Sequence, residues 1–161
     1  MSWFNRVFLN GAILSLAVLI PASAIKDPFA DVGLLQKAVA PVLPIADWRE
    51  VKGVGYTGSA QIEEPGFVLS YAMIGKDRAR VDRLNISTLI HAVKPGPELS
   101  RARAKLELAT IQWFKSVGLP LPRRLLLAIR QGQEISAVTD RMLVECINQG
   151  SDQIVRLQPK R

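Results

Sequence analysis

The apolar residues of this chain change their spacing twice, and that limits its folds more than any other feature. Between Trp48 and Val93 they alternate. Phe67, Leu69, Tyr71 and Met73 fall on one side of an extended segment, and Leu84, Ile86, Thr88 and Ile90 on one side of the next. This is the period of a half-buried strand. Beyond Lys94-Pro95-Gly96-Pro97 the spacing becomes helical, with Leu99, Ala102, Leu106, Ala109, Trp113 and Val117 on one narrow face. Alternation returns with Met142, Val144 and Cys146. Strands, then helices, then strands call for an α+β fold, with a helical layer over one face of a sheet.

Punctuation residues divide these blocks. Glu63-Glu64-Pro65-Gly66 and Gly75-Lys76-Asp77 are turns by composition. They separate a first strand around Val51–Tyr56, a second over Phe67–Ile74 and a third over Ala79–Ala92, the last with a bulge near Asp82-Arg83. Gly53-Val54-Gly55 reads as a flexible or bulged part of the first strand, since it lacks phosphate-loop spacing. Gly118 suits a helix C-terminus. Pro122 suits the first position of a second helix, which ends at Gly132. Glu134–Ile147 and Ile154–Leu157 then pair about Asn148-Gln149-Gly150. Upstream, Asp31 is placed to cap a short helix toward Leu43. The expected architecture is α+β: a mainly antiparallel sheet of about five strands, made of a three-strand meander plus a C-terminal hairpin, with a helical hairpin packed on one face.

The N-terminus carries an address. Arg6 precedes an almost wholly apolar run, Val7 to Ile20, followed by Pro21 and Ala22-Ser23-Ala24. A short positive region, an apolar helix, a helix breaker and a small-x-small triplet describe an export signal cleaved after Ala24. The run is short of the roughly 20 residues that span a bilayer comfortably, so an uncleaved anchor over residues 7–24 is the alternative. The expected organisation is an export signal over 1–24 and one α+β domain over 25–161. The expected location is periplasmic or extracellular.

Composition narrows the chemistry. With one Cys and one His among 161 residues, intramolecular disulfides, Cys-based zinc sites and multi-His metal centres are excluded. No cofactor or metal site is expected. Cys146 shares the apolar side of its strand with Val144, the place of a small buried hydrophobe. Ser87 and His91 share a predicted side, but no Gly-x-Ser-x-Gly elbow surrounds any serine. Glu63 and Glu64 are adjacent, so they do not form an acid/base pair across a substrate.

The formal net charge is +7, one unit of it from Arg6. Such a chain is drawn to anionic surfaces. Arg101, Lys105 and Lys115 lie on the polar side of the first long helix, and Arg123 and Arg124 open the second. Cations at a helix start oppose its dipole, a cost that an anionic partner would offset. These five residues are the candidate anion or partner surface, facing an anionic envelope component or an acidic protein. The function that combines these readings is an exported, basic, non-enzymatic binding or accessory protein of the bacterial envelope. Two alternatives stand beside it: an extracytoplasmic hydrolase with an unrecognised site, and a winged helix-turn-helix that binds nucleic acid, which export disfavours.

Overall fold

The computed structural model describes residues 27–91 and 96–160. The reading of residues 1–24 as a signal or anchor lies outside these. Among the described residues no helix is long and apolar enough to cross a membrane.

One antiparallel sheet organises the molecule. Its strands are β1 (Arg49–Val51), β2 (Gly55–Glu64), β3 (Phe67–Gly75), β4 (Arg83–Ile90), β5 (Ile135–Val138), β6 (Met142–Gln149) and β7 (Asp152–Pro159), in the order β1-β2-β3-β4-β7-β6-β5. The first four form a meander. The last three return beside it, with β7 against β4 through Leu84↔Leu157, Ile86↔Val155 and Thr88↔Gln153. Three helices, α1 (Val32–Val39), α2 (Pro97–Val117) and α3 (Arg123–Gln131), cover one face.

That face is the core. Phe67, Leu69, Tyr71 and Met73 of β3 are buried there with Leu84, Ile86 and Thr88 of β4, Val155 and Leu157 of β7, and Met142, Val144 and Cys146 of β6. From α2 come Ala102, Leu106, Ala109, Trp113 and Val117, all on the face that the helical spacing predicts. Gly118 and Gly132 end α2 and α3 at φ of 69° and 66°, left-handed conformations open to a residue without Cβ. The Asp31 carboxylate caps α1 by accepting from the Leu34 N–H at 2.9 Å. A short 3-10 turn, Pro28–Ala30, delivers Phe29 into the core against Trp113. The buried Tyr71 hydroxyl accepts from the Ala46 N–H at 2.6 Å and pins the segment between α1 and β1.

The α+β class and the one-sided helical layer match expectation, but the strand count rises from five to seven. Gly53, at a φ of 80°, lies in the tight connection between β1 and β2, and Gly55, at a φ of 107°, opens β2 opposite Val51. The segment Glu134–Ile147 also divides. Thr139 folds back on Met142 through N–H to carbonyl at 2.8 Å and accepts the Met142 N–H at its hydroxyl, which ends β5 and starts β6. The strand expected over Ala79–Ala92 is β4, and it begins later, at Arg83, after the Val81 N–H has been taken by the Phe29 carbonyl. Glu63 and Glu64 are paired strand residues of β2, so the turn is Pro65-Gly66 alone. Pro122 precedes α3 as its N-cap.

Leu106 is fully buried at the centre of this layer. Leu106→Ala should cost about 2–5 kcal/mol in denaturant unfolding. A loss under about 1 kcal/mol would mean that α2 contributes little to the core.

Candidate functional site

The side chains that β2–β7 turn away from the helices form a second, uncovered surface. Strand pairing orders them into rows. One row runs Thr57–Ile74–Arg83 across β2, β3 and β4 and continues through Gln158, Leu143 and Val138 on β7, β6 and β5. The next runs Ser59–Ala72–Asn85–Arg156–Glu145–Ser136. Most of these side chains are half-buried although no helix lies over them, because neighbours at strand spacing shield one another.

Along the first row this surface sinks into a trough of about 540 Å³. Ile74, Arg83, Gln158, Leu143 and Val138 line it along the row, together with Val54 from the β1–β2 turn. Lys76, Asp82 and Lys160 complete the wall, where the strands end. The volume falls in the usual range for small-molecule sites, about 300–1,000 Å³.

Two features mark the trough and the row beside it. The first is apolar exposure: Val138 and Val54 are 65% and 58% exposed, next to Ile74, Leu143 and Pro159. The second is unfinished polar bonding. The Nε of Arg83, the Oδ1 of Asn85 and the Nε of Arg156 are buried without a hydrogen-bond partner among the described residues. Asn85 and Arg156 face each other across β4 and β7, and Arg83 stands two residues from Asn85 on the same side of β4. Arg156 spends one guanidinium nitrogen on Glu145 at 3.4 Å. Buried polar groups are nearly always satisfied, so a cluster of unsatisfied ones is where a bound molecule or ordered water belongs.

The five basic residues picked out in the sequence lie on the helical layer, on the other side of the sheet. Arg101 donates to the Pro65 carbonyl at 3.0 Å and pairs with Glu98, while Lys105 pairs with Glu64 at 2.9 Å. Lys115, Arg123 and Arg124 are exposed, and they lie at the end of the hairpin where α2 gives way to α3. Ten residues of helix put about 15 Å between Lys105 and Lys115. The structure thus makes two groups: Arg101 and Lys105 tied to the β2–β3 turn, and Lys115, Arg123 and Arg124 at the far end. Arg130, near the end of α3, forms a two-pronged pair with Glu107 at 2.8 and 2.5 Å and holds that carboxyl below its usual range.

The remaining reactive types are placed plainly. The Ser87 hydroxyl lies 2.9 Å from that of Ser70. His91 stands four residues further on, about 13 Å along the strand direction. Cys146 is fully buried, and burial pushes its thiol pKa up. No group of three or more metal-ligating side chains occurs among the described residues. The trough itself escaped the sequence reading, because its residues are distant in the chain and each looks like an ordinary solvent-side strand position.

No protein-family model matches this chain, and neither a curated protein nor a solved structure matches it.

The Cys146 thiolate is the species that reacts with disulfide reagents, and both burial and the raised pKa oppose it. Native protein at neutral pH should therefore react with an aromatic disulfide only at its unfolding rate, and stoichiometrically once denatured. Rapid reaction of the native protein would contradict this burial.

Proposed function

We propose that this chain is an exported, non-enzymatic binding module of the bacterial cell envelope, and that the trough on the open face of its sheet is the ligand site. The observation that carries the proposal is the trough: a concavity of about 540 Å³ with exposed aliphatic groups and the buried, unpartnered Nε of Arg83 on its wall. The residues lining it include no hydroxyl, thiol or imidazole side chain. Aliphatic side chains beside Arg83, Lys76 and Lys160 suit the holding of a molecule with an anionic group. The hydrolase alternative needs His91 close to a serine and a carboxylate in a pocket, and Ser87, the serine on its predicted side, stands about 13 Å back along the strand direction. Export rests on the run from Arg6 through Ala24, and the basic charge suits a protein that works among anionic envelope components.

Two measurements test this reading. Mass spectrometry of protein from its native envelope should find a chain beginning at Ile25, and replacing Ala24 with a bulky charged residue should block that processing. Titrating the isotope-labelled protein with a small-molecule extract of the envelope should shift the amide resonances of Ile74, Arg83, Leu143 and Gln158. Shifts confined to Lys115, Arg123 and Arg124 would favour the helical anion surface instead, and no shifts at all would defeat the binding reading.

A further inference from the structure

We infer that the trough takes a monoanionic acyl carboxylate, its head group on Arg83 and its chain along Leu143 and Val138. This rests on the reading of the trough as a ligand site and adds the chemical class of the ligand. Arg83 would hold the head group. Its side chain is half-buried, and its Nε has no acceptor among the described residues. A half-buried guanidinium lining a trough suits a charged acceptor of matching shape, a carboxylate or a phosphate.

Asp82 decides between them. It lines the same trough next to Arg83 in the chain, and its carboxylate is held in place by the Lys76 N–H at 2.9 Å. A negative charge there repels the dianion of a phosphate monoester more than a monoanionic carboxylate, while Lys76 and Lys160 of the same lining keep the trough attractive to an anion. Lys76 and Lys160 are exposed at the rim, where they draw an anion in without binding it tightly.

The argument for the tail lies along the row. Past Arg83 come Gln158, which is neutral, then Leu143 and the exposed Val138, with Pro159 beside them. Three strand spacings separate Arg83 from Val138, about 14 Å. A small hydrophilic anion would reach only Arg83 and leave that aliphatic path wet. A linear acyl chain covers it and removes the apolar exposure from water.

The test uses the protein purified from its envelope and freed of bound lipid. Calorimetric titrations are run with octanoate, decanoate and dodecanoate below their micellar concentrations, and with dodecanol and dodecyl phosphate as comparators. Affinity should rise about fourfold for each methylene that becomes buried. Arg83→Gln should weaken dodecanoate about tenfold or more while leaving dodecanol unchanged. Arg83→Lys, which keeps the charge, should recover part of the loss. Val138→Asp should weaken dodecanoate and dodecanol alike. Dodecanol binding as tightly as dodecanoate, dodecyl phosphate binding tenfold tighter, or Arg83→Gln weakening both chain types equally would each overturn the assigned class while leaving the trough a ligand site. If no amphiphile binds the native protein and Val138→Asp changes nothing, the ligand-site reading itself falls.

Discussion

A sheet has two faces, and among the described residues this chain has helices on only one of them. That constraint shapes the rest of the molecule. The covered face is free to be aliphatic and aromatic, and it is: the side chains that β3, β4, β6 and β7 send toward α2 are nearly all buried hydrophobes. The other face must survive in water as part of the same strands. It does so with mixed rows, in which a charged pair such as Arg156–Glu145 sits among small and aliphatic side chains. Its edges are the short strands β1 and β5, which leave little unpaired backbone for another chain to join. Substitutions on the open face disturb the core least, so specificity has room to develop there.

The helical layer is held by more than its apolar stripe. At the end of α3 the last carbonyls meet donors from elsewhere in the fold. Gln153, almost fully buried on β7, donates to the Ile129 carbonyl at 3.1 Å. Arg103 of α2 donates to the Arg130 carbonyl at 3.3 Å. Its guanidinium rests over Gly132, so a side chain there would have to displace it and would also be strained at a φ of 66°. Cationic and amide donors at a helix C-terminus complement its dipole and satisfy carbonyls that would otherwise be orphaned. Arg103 and the Arg130–Glu107 pair tie α3 to α2, and Gln153 ties α3 to the sheet. They also explain why several basic residues that look free in the sequence are engaged in the folded chain.

Much of the covered face was legible because burial repeats with the period of the element. The inward sides of β3, β4, β6 and α2, the glycine ends of both long helices and the Asp31 cap all follow from local pattern. The strand count did not, for two different reasons. Gly53-Val54-Gly55 resembled part of one weak strand because its neighbours are β-formers, while the positive φ of Gly53 turns the chain there and Gly55 opens the next strand. Thr139-Asp140-Arg141 was invisible because it contains neither Gly nor Pro. Its turn chemistry is the Thr139 hydroxyl, and the alternation runs straight across it. The trough lay furthest from view. Ile74, Arg83, Leu143 and Gln158 become neighbours only once β7 is known to pair with β4, a long-range choice that no local pattern encodes.

The central claim is that the open face is occupied when the protein does its work. The most direct measurement is an experimental structure of the protein isolated from its native envelope without detergent or delipidation. The account predicts an elongated molecule lying along Arg83, Leu143 and Val138, with an acidic group against the Arg83 guanidinium. A trough containing only solvent, together with a ligand seated on the helical layer beside Lys115, Arg123 and Arg124, would contradict it.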